Sequence, residues 1–496
     1  MKRMKQVISL ILLCQMTGGL GRLHAETDAR LVNAVKHVDS VAVRALLKEG
    51  VDVNAGEADG TLPIHWAVHR DDVETARLLI EAGALVTAAN RYGVQPLSLA
   101  CVNGNPAMID ILLTAGADPN TRFAGGETAL MTAARTGIVG AVEKLLVHGA
   151  NANAMETWRS QTALMWASAE GHSEVVSLLL SHGTNVSSVS QRGFTALLFS
   201  SREGQIPVVR QLLDAGASLD ESLSVNSRRS AGGVEVARAS EDGLNAFLLA
   251  VANAHYELAA LLLERGADPN AAPRGWTALH QMSWVRKAGI AGSNNPAPKG
   301  SGEMSSLEFV ELMVAKGADL NAQVTLRPPA GITALNMIGG TPFLLAARTA
   351  DTDLMRLLAE LGADPLLPNE DNTTPLMVAA GVGTSSPGED PGTESEVLSA
   401  VQLAIELGGD LNGVDDNGET VMHGAAYKHV PSVVQFLSDQ GAESDIWHQE
   451  NQKGWTPLKI TEGVKRGMNI ISSRPTEVAV RDVMSRVGLL PVGQLQ

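Results

Sequence analysis

The sequence predicts an all-α solenoid, a line of short helix pairs, and three observations carry that prediction. A pattern of small and aliphatic residues returns about every 33 residues along most of the 496-residue chain. Each copy closes on a glycine-containing turn. Aromatic residues make up only 3% of the chain against 45% apolar residues in total, which suits many thin layers better than one bulky core. A single hydrophobic core stops growing at roughly 250–300 residues, and a repeat array escapes that limit because each unit buries its apolar face against its neighbours.

Taken in chain order, residues 1–25 read as an export signal peptide. Lys2, Arg3 and Lys5 form a positive start, residues 7–13 are a short apolar run, and Leu23-His24-Ala25 ends on a small residue suited to cleavage. The run is shorter than the roughly 20 residues needed to span a bilayer. Leu13 before Cys14 disfavours a lipid anchor. Cleavage after Ala25 would remove Lys2, Arg3, Lys5 and Arg22 and no acid, moving the net charge from −16 to about −20. An acidity of that size argues against nucleic acid or an anionic membrane as partner. It would also leave Cys101 as the remaining cysteine, so no disulfide framework is available. Cys101 is expected as a small core residue.

The repeat is clearest where GETALMTAA, SQTALMWAS and GFTALLFSS open successive units, from Gly126, Ser160 and Gly193. Each is followed by a second apolar helix pattern and a turn, in EKLLVHGANAN, VSLLLSHGTNV and RQLLDAGASLD. Glycine just past the last periodic residue is a usual helix stop. Each unit is therefore expected to be a helix, a tight turn, a second helix and a longer loop. The residue before the "A/P-L" pair marks each copy: Leu62, Gln95, Thr128, Thr162, Thr195, Asn245, Thr277, Thr341, Thr374, Thr420 and Thr456. The first five are 33, 33, 34 and 33 residues apart.

With that period the chain resembles the ankyrin repeat family, whose unit opens on T-P-L-H-x-A. The opening appears here as LPIHWA at Leu62, TALHQM at Thr277, TPFLLA at Thr341 and TPLMVA at Thr374, and the Gly-Ala-Asp-x-Asn turn at 116–120, 266–270 and 317–321. The resemblance covers about residues 28–490. It implies an all-α ankyrin-repeat solenoid of about eleven repeats plus caps. The expected layout is an N-terminal capping repeat at 28–58, a first block of repeats at 59–220, an insertion at 221–241, further repeats at 242–452 and a C-terminal capping repeat at 453–490. Within the second block, insertions are expected near 288–302, 324–340 and 381–394. The last, GVGTSSPGEDPGTE, reads by composition as a flexible or disordered loop.

Catalytic and metal motifs are absent: there is no C-x-x-C, H-E-x-x-H, Walker loop or G-x-S-x-G. No catalytic residue, cofactor or metal is expected. The insertions 324–340 and 381–394, where a site unrelated to the repeats would be built, contain neither His nor Cys. His65 and His69 share a helix face at a metal-compatible spacing. In the resembled family, however, the His65 position is structural and bonds neighbouring backbone, and His280 fills the same slot with His423 close to it. Trp66 and Trp166 follow that slot and are expected in the core.

What remains informative is the set of residues on hairpin tips and first-helix surfaces, the face such stacks usually bind with. In this chain those slots hold Arg70, Arg91 with Tyr92, Arg122 with Phe123, Arg135, Trp158 with Arg159, Arg192 with Phe194, and Arg202, continued sparsely by Arg274 with Trp276 and by Arg348. Arg, Tyr and Trp are the side chains enriched at interface hot spots. The expected function is an exported, monomeric protein-binding module, periplasmic or secreted in a Gram-negative cell, whose protein partner offers an acidic surface or segment. A cell-envelope scaffold shielding a neighbouring enzyme needs the same binding face.

Overall fold

A computed structural model describes residues 29–123, 125–223, 243–287, 297–326, 334–385, 387, 391–466 and 469–489. The signal segment 1–25 and most of the insertion 221–241 lie outside the described residues. By contacts the chain divides into two compact units, residues 1–151 and 152–496.

The first unit holds four helix pairs: Arg30–Lys36 with Ser40–Glu49, Pro63–His69 with Val73–Glu81, Pro96–Asn103 with Pro106–Thr114, and Ala129–Thr136 with Val139–Val147. The second holds eight among the described residues. They are Ala163–Glu170 with Ser173–Ser181, Ala196–Arg202 with Ile206–Asp214, Ala246–Ala252 with Tyr256–Glu264, Ala278–Arg286 with Ser306–Ala315, Pro342–Arg348 with Thr352–Glu360, Pro375–Ala380 with Glu394–Glu406, Val421–Lys428 with Pro431–Asp439, and Pro457–Gly463 with Arg474–Arg486. Among the described residues the architecture is all-α, with one two-stranded ribbon, Val464–Arg466 against Asn469–Ile471, inside the last pair.

Each marker residue of the repeat is the N-cap of a first helix, held in extended backbone. The preference for Thr follows from the chemistry of that place. Its hydroxyl accepts the backbone N–H three residues on, as from Thr341 to Leu344 at 3.2 Å and from Thr374 to Met377 at 3.3 Å, satisfying a donor that no helical carbonyl reaches. At the other end Gly116 takes φ +98° and Ala117 N–H returns to the Leu112 carbonyl at 2.9 Å, a left-handed stop that a Cβ would strain.

Two devices join successive units. The Asn that ends the turn motif bonds both ways to the next turn: Asn120 donates to the Gly149 carbonyl at 3.0 Å and accepts from Asn151 N–H at 2.7 Å, and Asn270 repeats this with Gly317 and Asp319. The first helices are apolar almost all round, as in Ala246–Ala252, where six of seven residues are buried. Ala, Leu, Val and Met there let neighbouring helices approach closely and form the core.

The described residues of three insertions are packed against the repeats. Val324, Leu335 and Met337, from 324–340, are buried with Trp276, Leu344, Leu345 and Val378. In 381–394, expected as a flexible or disordered loop, the described residues Val382 and Thr384 are buried. Gly383 accepts from Ala334 N–H at 3.0 Å, so these two insertions meet. A close backbone approach decides this. A Cβ on Gly424 would sit 2.8 Å from Val382 N, so two small residues, Gly381 and Gly424, let the chain turn where composition alone suggests slack. The described part of 288–302 is also held, with Ser301 Oγ 2.8 Å from His255 Nδ1.

Candidate protein-binding surface

The tips that carry the arginines are short turns built on Asn, Ser or Glu side chains that bond their own backbone. In the first unit, Asn90 Oδ1 accepts from Tyr92 and Val94 N–H, both at 3.0 Å. Arg91 donates its backbone N–H to Asp59 and its guanidinium to the Ala58 carbonyl at 3.1 Å, so this side chain stitches two tips together while Tyr92 stays exposed. Arg122 is similarly engaged with the Gly126 carbonyl at 3.0 Å beside a half-buried Phe123. Arg135 is half-buried. Arg70, just past the helix Pro63–His69, is exposed and forms no ion pair among the described residues.

In the second unit the tip 152–160 is organised by Glu156, itself only 5% exposed. Its carboxylate accepts the backbone N–H of Trp158 at 2.5 Å, Arg159 at 2.6 Å and Gln161 at 3.2 Å. Burying a carboxylate is tolerated because three donors replace its water. Trp158 is thereby held at 75% exposure with Arg159 beside it. The next tip is joined to this one through Gln191 N–H, which donates to the Arg159 carbonyl at 2.7 Å, and it presents Arg192 to solvent.

Five residues from the expected set and its sparse continuation lie elsewhere. Phe194 is 5% exposed and stacks on Phe199 at 4.7 Å between ring centres: the residue after the turn glycine points into the layer. Arg202 lies over both rings, at 5.0 and 5.3 Å, with Nη2 2.8 Å from Glu203. Arg348 is buried, and Arg274 covers Trp276 at 4.9 Å. Arg202 and Arg274 thus close off apolar rings of their own chain.

The histidines of the fourth repeat position are structural. His423 Nδ1 accepts from Thr420 N–H at 3.1 Å and Nε2 donates to the Trp455 carbonyl in the next unit at 3.0 Å. His280 does the same between Thr277 and Gly340, and His65 between Leu62 and Val94. Burial disfavours the imidazolium and lowers all three, His280 and His423 to about 4. Both ring nitrogens of His65 are thus in use, while His69 packs edge-on against the buried Trp66 at 5.7 Å. Trp166 is half-buried and bonds Gln161. Cys101 is fully buried and its thiol is pushed up by burial, the inert state of a core cysteine. No cluster of three or more His, Cys, Asp or Glu able to hold a metal ion occurs among the described residues, and no described helix is long and apolar enough to cross a membrane.

A polar cavity of about 260 Å³ that the sequence does not announce opens where the insertions 324–340 and 381–394 meet the tips of the following repeats. Its carboxylates tie tip to tip: Asp371 accepts from Asn336 at 2.9 Å and Asn417 at 3.2 Å, and Asp415 from Thr373 at 2.8 Å. Only the register of the insertions brings these residues together.

Family models for ankyrin repeats match residues 31–123, 130–222 and 242–272. Among curated proteins, the mouse B-cell lymphoma 3 protein homolog is 36% identical over 148 residues, 30% of this chain and 27% of that protein. The Arabidopsis thaliana E3 ubiquitin-protein ligase KEG is 27% identical over 170 residues, 33% of this chain and 9% of that one. The chain therefore spans only a minor part of the length of either. Among solved structures, the ankyrin repeat domain of Bcl-3 is 31% identical over 40% of this chain and 90% of its own, and that of human ASB11 25% identical over 40% and 93%, each with a TM-score of 0.37. Beyond residue 272 the same N-capped helix pairs and Asn-bridged turns continue. Matched sequence and repeated geometry together place the chain in the ankyrin repeat family.

Proposed function

We propose that this chain is an exported, monomeric module that holds a protein partner through hairpin tips and first-helix ends, the partner offering an acidic surface or segment. The observation that carries the reading is charge placement. The chain has a net charge of −16, yet Arg70, Arg159 and Arg192 face solvent at these tips with no ion pair among the described residues. Unpaired arginines on pre-ordered turns pair readily with carboxylates and cost little ordering on binding.

Crosslinking in intact cells, followed by affinity capture at rising salt, tests it. Changing Arg70, Arg159 and Arg192 to Glu together should abolish a salt-sensitive capture. Retained capture with unchanged salt dependence refutes the acidic-partner reading. Export is tested separately by the N-terminus of the mature chain, expected at Glu26. A chain retaining residues 1–25 in the cytoplasm would overturn it.

A further inference from the structure

The structure sets one pair of tips in the second unit apart from the rest. Tryptophan at 75% exposure is unusual, because so much apolar surface left in water costs stability that folding normally recovers. Here the exposure is imposed. The buried Glu156 consumes three N–H groups of the tip and fixes the backbone that displays Trp158. Ser160 takes φ +55°, a left-handed conformation rare for serine, at the close of the same turn. On the same tip Met155, and on the neighbouring tip 184–194 Val189, are 38% and 50% exposed, adding apolar surface to this tip pair.

The charges around it have one sign. Residues 152–160 and 184–194 contain two arginines, Arg159 and Arg192, both exposed, and one acid, Glu156, whose oxygens are turned into the tip. Of the other arginines of the set, Arg91 and Arg122 are spent on backbone carbonyls and Arg202 on Glu203, while Arg70 is exposed in the first unit. A rigid aromatic anchor flanked by free guanidinium groups is the composition of an interface hot spot, with little side-chain entropy left to lose.

We propose that this tip pair is the anchor of the interface and that it takes a short acidic segment carrying one apolar side chain. That side chain lies on Trp158, and flanking carboxylates pair with Arg159 and Arg192. This rests on the protein-binding reading above and gives that partner a chemistry. Charge complementarity selects the occupant: a basic segment would be repelled at this tip, and a purely apolar one would leave both arginines desolvated without partners.

The test uses the full mature chain and three fluorescein-labelled synthetic peptides of equal length: Asp and Glu around a central Leu, the same acids around a central Ser, and Lys around Leu. Fluorescence anisotropy should show the acidic Leu peptide binding at least about tenfold tighter than the Ser control, with no binding of the Lys peptide. Trp158→Ala should remove that tenfold preference while leaving the melting temperature unchanged, and Arg159→Glu with Arg192→Glu should abolish binding of both acidic peptides. Equal binding of both acidic peptides, or an unaltered Trp158→Ala, overturns the anchor while the acidic-partner reading stands. If neither acidic peptide binds, both fall. Sedimentation of the chain alone supplies a further check: a dimer dispersed by Trp158→Ala would assign the tip to a second copy and overturn the proposal.

Discussion

Lowering the pH should loosen the array at its buried histidines first, and the size of the effect follows from their surroundings. His280 and His423 are fully buried, and each accepts on Nδ1 the N–H of the residue that caps its own helix. Protonation would break that bond and bury a charge, so both are held near 4 against 6.5 for a free imidazole. With the folded value depressed, the stabilisation is complete above the unfolded value and is lost as pH falls from about 6.5 towards 4. Between pH 7.5 and 5.5 the unfolded chain gains nearly one proton per histidine while the folded chain gains almost none, a loss of about 1.3 kcal/mol each. Burial raises Asp415, which lies near His423, and a raised carboxylate favours folding at low pH, the opposite sign. The comparison must therefore be made against His423→Gln. Local opening in a repeat array need not be two-state, so hydrogen exchange by mass spectrometry is the suitable assay. After correction for intrinsic rates, amides around 420–430 should lose protection about tenfold between pH 7.5 and 5.5. In His423→Gln that ratio should fall, with the remainder set by His429, which burial also lowers, while the segment around His280 keeps its tenfold change. An identical pH ratio around 420–430 in the variant would refute the reasoning.

Other outcomes follow from single contacts. Arg286 grips Asp351 through two bonds, at 2.7 and 3.0 Å, with Asp351 buried and Arg286 partly so, and Asp351→Ala should cost about 3 kcal/mol, the low end for a buried pair because water still reaches the cation, measurable by urea unfolding of the second unit. Replacing both with similarly sized apolar residues should cost far less. Thr341→Ala should cost about 1 kcal/mol by removing one N-cap, with Thr341→Ser largely restoring it in the same assay. Gly424→Ala should cost about 1–3 kcal/mol and raise exchange in 376–385, because its Cβ would meet Val382 N at 2.8 Å; an unchanged exchange pattern would mean that the two backbones do not approach as described.

The local features were legible because they are repeated and short-range. Caps, glycine stops and small-residue helix faces obey rules that span three or four residues, so Leu62, Thr128 and Thr420 could each be assigned to a helix start without knowing what lies beside it. The resemblance likewise placed His65 in a slot that bonds neighbouring backbone, and the Val94 carbonyl is that partner. What escaped are the one-off features. Among the described residues the ribbon Val464–Arg466 with Asn469–Ile471 and the fully buried Trp447 have no counterpart in the other repeats, so periodicity has nothing to say about them.

The candidate surface divides in the same way. Sequence register by itself determined that arginines and aromatics sit at the tips, since tip position is a matter of counting within the repeat. Which of them face solvent was decided by tertiary structure alone. Trp158 stands four residues before its marker Thr162 and Phe194 one before Thr195, and counting to those places does not say that the first is three-quarters exposed and the second buried. Each turn is organised by its own acceptor. Ser190 bonds Phe194 N–H and folds the ring inward onto Phe199, whereas Glu156 turns inward itself and holds Trp158 out. Burial is set by what a side chain meets after the chain has closed around it, and no count along the sequence contains that information.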